Sequence, residues 1–166
     1  MDSGTSPSGA CLQPGTKAET LERLRPLLRK AWILPLAYFT VGEWHADPAA
    51  QVERLLALWP DTPLIVRSSA LSEDRDGSSL AGRFLSVLDV RGAAGLREAI
   101  DRVVASYGAP GAGDQVLVQP MLADVCCSGV LFNVDPATSA AYRTINYSDG
   151  DDTTAMLDCL RRLGLS

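Results

Sequence analysis

The sequence predicts a mixed α+β fold, and three observations predict it. Short β-prone apolar runs alternate with longer stretches of helical periodicity along the chain. Several of the β-prone runs are joined by links of hairpin length, which favours a mixed sheet with antiparallel pairs and flanking helices over a purely parallel one. The chain has 166 residues of which 46% are hydrophobic, enough to build the core of one domain or one lobe.

The elements follow in order. Met1 to Pro14 is small, polar and rich in Gly, Ser and Pro, so it is expected to be a flexible segment. Lys17 to Lys30 has Leu21, Leu24, Leu27 and Leu28 at helical spacing, with a break expected at Pro26. Trp32 to Val41 is apolar and β-prone, and reads as a strand interrupted by Pro35. Asp47-Pro48 opens a second helix, with Asp47 as N-cap, Val52, Leu55, Leu56 and Leu58 as its apolar face, and Pro60 as its end. Leu64-Ile65-Val66 reads as a short buried strand delivering Arg67-Ser68-Ser69 at its end. Ser72 to Gly82 is rich in Ser, Gly and acidic residues and reads as a loop, after which Phe84 to Val90 returns to strand. Gly95 to Tyr107 is an amphipathic helix with Leu96, Ile100, Val103 and Val104 in register. Beyond a Gly-rich turn at 108–113, strands are expected at Val116–Val118, Gly129–Val134 (closed by Asp135-Pro136) and Thr144–Tyr147, with a short helix at Met156–Leu163. Trp32, Trp44 and Trp59 read as core and packing residues.

Charge and cysteine content narrow the classes of function. Net charge is −5 with no basic stripe, which argues against a nucleic-acid partner. No apolar run reaches the ~20 residues of a membrane helix, and the N-terminus lacks a signal-peptide pattern, so a soluble cytoplasmic protein is expected. Cys11, Cys126, Cys127 and Cys159 do not form a zinc-type spacing and read as reduced thiols. His45 has no flanking motif and receives no catalytic role, and no metal ligands are assigned.

The chemistry concentrates in Ile65 to Val90, IVRSSALSEDRDGSSLAGRFLSVLDV. A strand is followed by a loop whose small residues, Ser78-Ser79 and Ala81-Gly82, let backbone N–H groups approach an anion. Arg67 adds a planar fork of donors suited to phosphate oxygens, although an arginine at a strand end is more often in a salt bridge than on a ligand.

This stretch resembles the signature of the N-terminal nucleotide-binding domain of the pyruvate phosphate dikinase and phosphoenolpyruvate synthase family, a domain that rifampin phosphotransferase shares. The family pattern is roughly VRSSAxxED, a short gap, then SxAGxxxTxLxV. Arg67, Ser68, Ser69, Ala70, Glu73, Asp74, Ser79, Ala81, Gly82, Leu88 and Val90 fall on it. GTKAETLERL is similar to the family's GGKxxxLxxL, and Leu117 to Thr138 is similar to LVQxMVxxxxxGVxFTxDPxTG. The resemblance spans about residues 13 to 150, leaving 1–14 as a leading segment and 151–166 as a tail.

The resemblance implies an ATP-grasp-like fold with ATP bound between lobes. It places Lys17 and Arg67 on the phosphates, with Arg67 also assisting the transferring group catalytically. It places the loop carrying Ser79, Ala81, Gly82 and Ser86 over the phosphates, with a serine at position 86 where the family usually has threonine. Gln119, Met121 and Leu122 would lie beside adenine. From the residues alone, Lys17 suits a solvated helix start better than a ligand site, and Gln119 and Met121 suit an ordinary strand equally well. Glu73 and Asp74 are read as structural, and Asp149, Asp151 and Asp152 as a solvated turn.

The family's Mg2+ ligands, phosphohistidine domain and pyruvate-binding barrel have no counterpart in this sequence. The expectation is therefore an ATP-binding lobe of a phosphotransferase, incomplete for catalysis alone: a fragment of a longer enzyme, one half of a split enzyme whose missing lobe is a separate chain, or a small protein that reuses the lobe. The alternative is a non-catalytic, partner-dependent protein that reuses the fold as an interaction module.

Overall fold

A computed structural model describes residues 15–70, 85–111, 113–132, 134–135, 138 and 140–150. The expected loop at 72–82, with Glu73, Asp74, Ser78, Ser79, Ala81 and Gly82, lies outside the described residues, as do Asp151, Asp152 and the expected helix at 156–163.

The first helix, α1 (Lys17–Leu24), starts on a capping box: Thr16 Oγ1 accepts from Glu19 N, and Thr16 N donates to Glu19 Oε2. It stops at Leu24 rather than Lys30, because Pro26 has no N–H to continue the ladder. Leu27 and Leu28, expected on its apolar face, are exposed beyond its end. The β-prone run yields a shorter strand than expected, β1 (Ala37–Thr40), lying beyond Pro35. Trp32, expected to pack, is 76% exposed.

Thr40 then caps α2 (Val41–Ala46), which the β-prone composition concealed. Asp47 caps α3 (Pro48–Leu58) as expected, its Oδ1 accepting from Ala50 N at 2.9 Å. Val52 and Leu55 of α3 are buried, whereas Leu58 is exposed. β2 (Leu64–Ser69) continues past Val66 and includes Arg67-Ser68-Ser69 as its last three residues. β3 (Ser86–Val90), α4 (Gly92–Ser106) and β4 (Gln115–Pro120) complete the first unit. β5 (Cys127–Phe132) and β6 (Thr144–Asp149) form a separate two-stranded antiparallel sheet.

The larger sheet has the order β1-β4-β2-β3, and each described pair in it is antiparallel. The expected antiparallel pairs are found, but between strands joined by long connections and not by hairpin-length links, and no parallel pair occurs among the described residues. β1 and β2 run the same way with β4 between them, and β3 and β4 run the same way with β2 between them. The helical connections β1-α2-α3-β2 and β3-α4-β4 each skip one strand, and the two crossovers interleave.

Pleating sends alternate residues to opposite faces. Phe39, Leu64, Val66, Val90, Val116 and Val118 face one side, where they pack against Trp44, Val52, Leu55, Leu96, Ala99, Ile100 and Val103 of the helices. Each such side chain contributes roughly 1.5–3 kcal/mol on burial, so this face holds the core together. The other face carries Tyr38, Ile65, Arg67, Ser69, Ser86, Gln115, Leu117 and Gln119, and α1 is bonded to it.

Candidate functional site

The face opposite the core is unusual for a sheet centre because much of it is polar. Arg67 sits mid-strand in β2, in register with Leu117 of β4 on one side and Ser86 of β3 on the other. Arg67 is half-buried and Leu117 is fully buried. The Nε of Arg67 is buried and has no hydrogen-bond partner among the described residues. A buried donor left in that state costs about 1–3 kcal/mol, which an anionic oxygen would recover.

A β-bulge brings Ser86 beside Arg67. Leu64 pairs with Val90 but Val66 pairs with Val87, so one extra residue of β3 is inserted there. Without it Arg67 would pair with Val87, an apolar residue that instead packs against the core. The bulge is absorbed at Asp89, whose φ of 51° is in the left-handed region that Asp tolerates better than most residues. Asp89 also pairs with Arg91 Nε at 2.9 Å.

Two residues along β4 from Leu117 lies Gln119, 7% exposed and opposite Ile65. Met121 continues the β4 register by donating its N–H to Pro63 O at 2.8 Å, and its Sδ accepts from Asp89 N at 3.3 Å. Leu122 is 57% exposed and beyond the strand, so the structure does not draw it to this face as it does Gln119.

At the opposite end of the face stands α1. Thr16 Oγ1 donates to Gln115 Oε1 at 2.6 Å, and Ala18 N donates to Ser69 Oγ at 2.9 Å. Gln115 Nε2 donates to Glu19 Oε1 at 3.0 Å. Tyr38 OH donates to Glu22 Oε2 at 2.6 Å, and this bond, followed by burial, pushes the phenol up to about 12. Lys17, the first residue of α1, is thus attached to the end of the sheet two strand positions from Arg67. Tyr107 OH accepts from Ser69 N at 2.9 Å and donates to Gln115 O, bridging the paired strands from α4's end.

The structure therefore brings Arg67, Ser86, Gln119 and Met121 to one face and ties the helix bearing Lys17 to its end. Ser79, Ala81 and Gly82 lie outside the described residues. Ser69, Tyr107 and Gln115 were not singled out as site residues from the sequence. The two-residue period linking Ser69 to Arg67 would have marked it, had the strand been extended past Val66.

His45 is exposed on α2. Among the described residues, no group of three or more His, Cys, Asp or Glu could hold a metal ion. Cys126 and Cys127 are free and exposed at the start of β5.

A search of curated proteins finds no match to the chain. The family model described as pyruvate phosphate dikinase, AMP/ATP-binding domain, matches residues 47–114. That span contains Arg67, Ser69 and Ser86 but not Lys17, Gln115, Gln119 or Met121. The stretch of this chain that builds α3, β2, β3 and α4 is therefore similar to the AMP/ATP-binding domain of pyruvate phosphate dikinase.

Proposed function

We propose that the polar face of the four-stranded sheet binds ATP for a phosphotransferase of the phosphoenolpyruvate synthase and pyruvate phosphate dikinase type. The observation that carries this reading is the Nε of Arg67 at the centre of that face, buried and without a partner among the described residues. Arg67 takes phosphate oxygens through its fork of donors, with Lys17 approaching from the end of α1. Positive charge held in place this way suits phosphoryl transfer, where charge on the transferring oxygens must be neutralised. Ser86 adds a hydroxyl beside Arg67. The loop with Ser79, Ala81 and Gly82 supplies backbone donors by analogy with the family.

The base lies toward Gln119 and Met121, with Leu122 just past the strand beyond them. Their order along the chain puts it at the end of the face away from α1. Gln119 offers both an amide donor and an acceptor for a purine edge.

Mg2+ accompanies ATP in such reactions, but the described residues do not fit a protein-built Mg2+ site. Oxygen ligation of a hard cation draws on carboxylates, and those near this face are engaged elsewhere: Glu19 with Thr16, Gln115 and Arg23, and Asp89 with Arg91. Mg2+ would be held by the nucleotide and by residues outside this face. Exposed free thiols at Cys126 and Cys127 suit a reducing, cytoplasmic setting.

Calorimetric titration with ATP and Mg2+, wild type beside Arg67→Ala, tests the reading. Loss of a charge-assisted contact worth ~1.5–3 kcal/mol should weaken binding by about 10- to 100-fold. Equal affinity of the two proteins would sink it.

A second reading, a partner-dependent interaction module, is favoured by the β5–β6 sheet. Leu131, Ile145 and Tyr147 share one face of it and are 64%, 66% and 72% exposed. An apolar face of that kind suits the surface of another polypeptide, such as a separate chain completing the site. Leu131→Lys should abolish any such association while leaving ATP binding by the Arg67 face intact, as sedimentation and calorimetry would show.

A further inference from the structure

We infer that Ser69 and Gln115 are positioning residues that set where Lys17 stands relative to Arg67. The inference rests on the reading of Lys17 and Arg67 as phosphate ligands, and deepens it.

α1 is a short helix, eight residues, with Ala18 its one buried residue. A helix of this length does not hold its place by itself, and with Leu21 and Leu24 only half-buried its apolar contact with the sheet is slight. Its register on the sheet is fixed by polar bonds. Ser69 Oγ takes the amide of Ala18, the residue next to Lys17, at 2.9 Å. Gln115 works from the neighbouring strand, accepting from Thr16 Oγ1 at 2.6 Å and donating to Glu19 Oε1 at 3.0 Å. Lys17 is therefore bracketed by bonded residues on both sides. Ser69 and Gln115 are 0% and 7% exposed, so water competes little for these bonds.

The two anchors are fixed in turn. They are register partners, and Tyr107 OH bridges Ser69 N to Gln115 O. Ser69 shares the strand and the face of Arg67, two residues on, which is about 7 Å of strand. The strand thus acts as a fixed spacer: it carries the guanidinium at one position and the seat of the lysine helix at the next one on that face. A small change in the placement of a charged group weakens phosphate contact even when the group itself is intact.

A double-mutant cycle tests this. ATP affinity is measured by calorimetry for wild type, Ser69→Ala, Lys17→Ala and the double variant, with Arg67→Ala alongside. Urea unfolding midpoints confirm that each protein is folded. Ser69→Ala should weaken ATP binding by about 3- to 10-fold, a part of the 10- to 100-fold expected for losing a charged contact outright. In the Lys17→Ala background it should cause no further loss, because its effect passes through the lysine. Gln115→Leu should behave in the same way and provides an independent arm if Ser69→Ala does not fold.

Equal losses with and without Lys17 would overturn the inference in favour of general stabilisation, as would no loss in either. Failure of both variants to fold would also overturn it, since the bonds would then serve the fold. If Arg67→Ala leaves affinity unchanged, or the folded wild type binds no ATP, the underlying phosphate reading fails and takes this inference with it. If Arg67→Ala weakens binding but the cycle is additive, the positioning role alone fails.

Discussion

Trp44 is 2% exposed, yet its indole N–H is satisfied by Asp101 Oδ1 at 2.9 Å. Its ring also stacks near Phe39, with centroids 6.0 Å apart, and lies under the guanidinium of Arg97 at 5.8 Å. One side chain thereby joins α2, β1 and α4. Trp44→Phe leaves a void and strips Asp101 of its donor, and should cost roughly 1–3 kcal/mol. Urea unfolding should show a lower midpoint at unchanged slope. At this scale the sequence was legible where a residue's chemistry is local. Asp47 is an N-cap because a carboxylate followed by proline suits a helix start. Arg67 was legible as an anion ligand candidate, but its mid-strand place was not, since polar residues ordinarily leave a sheet centre. Ser86 beside Arg67 depends on a bulge, and an inserted residue leaves no periodicity to read. Trp32 misled because aromatic bulk argues for burial, and the chain exposes it between α1 and β1.

The element that composition hid most completely is α2. Val41 follows a β-prone run, but Thr40 and Glu43 form a capping box, with Glu43 N donating to Thr40 Oγ1 at 3.1 Å and Thr40 N to Glu43 Oε2 at 2.7 Å. The T-x-x-E signature is present in the sequence, and the stronger apolar pattern outweighed it. Thr40→Ala should cost about 1 kcal/mol, visible as a lower thermal midpoint. The same box gives a pH dependence. Bonds from the Thr40 backbone and hydroxyl hold the Glu43 carboxyl below its ordinary value of 4.5. A depressed carboxylate stabilises the folded state above that value, and the contribution fades as pH falls below it. Wild type should therefore be more stable than Glu43→Gln at pH 7, with the gap closing as the pH is lowered past 4.5, as paired melting curves would show. Helix ends at prolines and the amphipathic α4 were legible for the opposite reason: each carries its signal within its own segment.

Strand order was not legible, because pairing between distant segments leaves no trace in local pattern. β4, the last strand of the larger sheet, sits between β1 and β2, and supplies Val116, Leu117 and Val118, each 0% exposed. A chain covering 15–120 should unfold cooperatively in urea. A chain covering 15–114, which lacks β4, should show no cooperative transition, since β1 loses its partner and β2 one of two. The interleaved order also dictates when the protein can fold as it is synthesised. β1, β2 and β3 are made first, and of these β2 and β3 pair with each other while β1 must wait. The hydrophobic centre and the seat of Lys17 both close on β4, so neither exists until translation has passed Pro120. Up to that moment the nascent chain carries open strand edges, which makes the interval before β4 emerges the one in which a chaperone matters most.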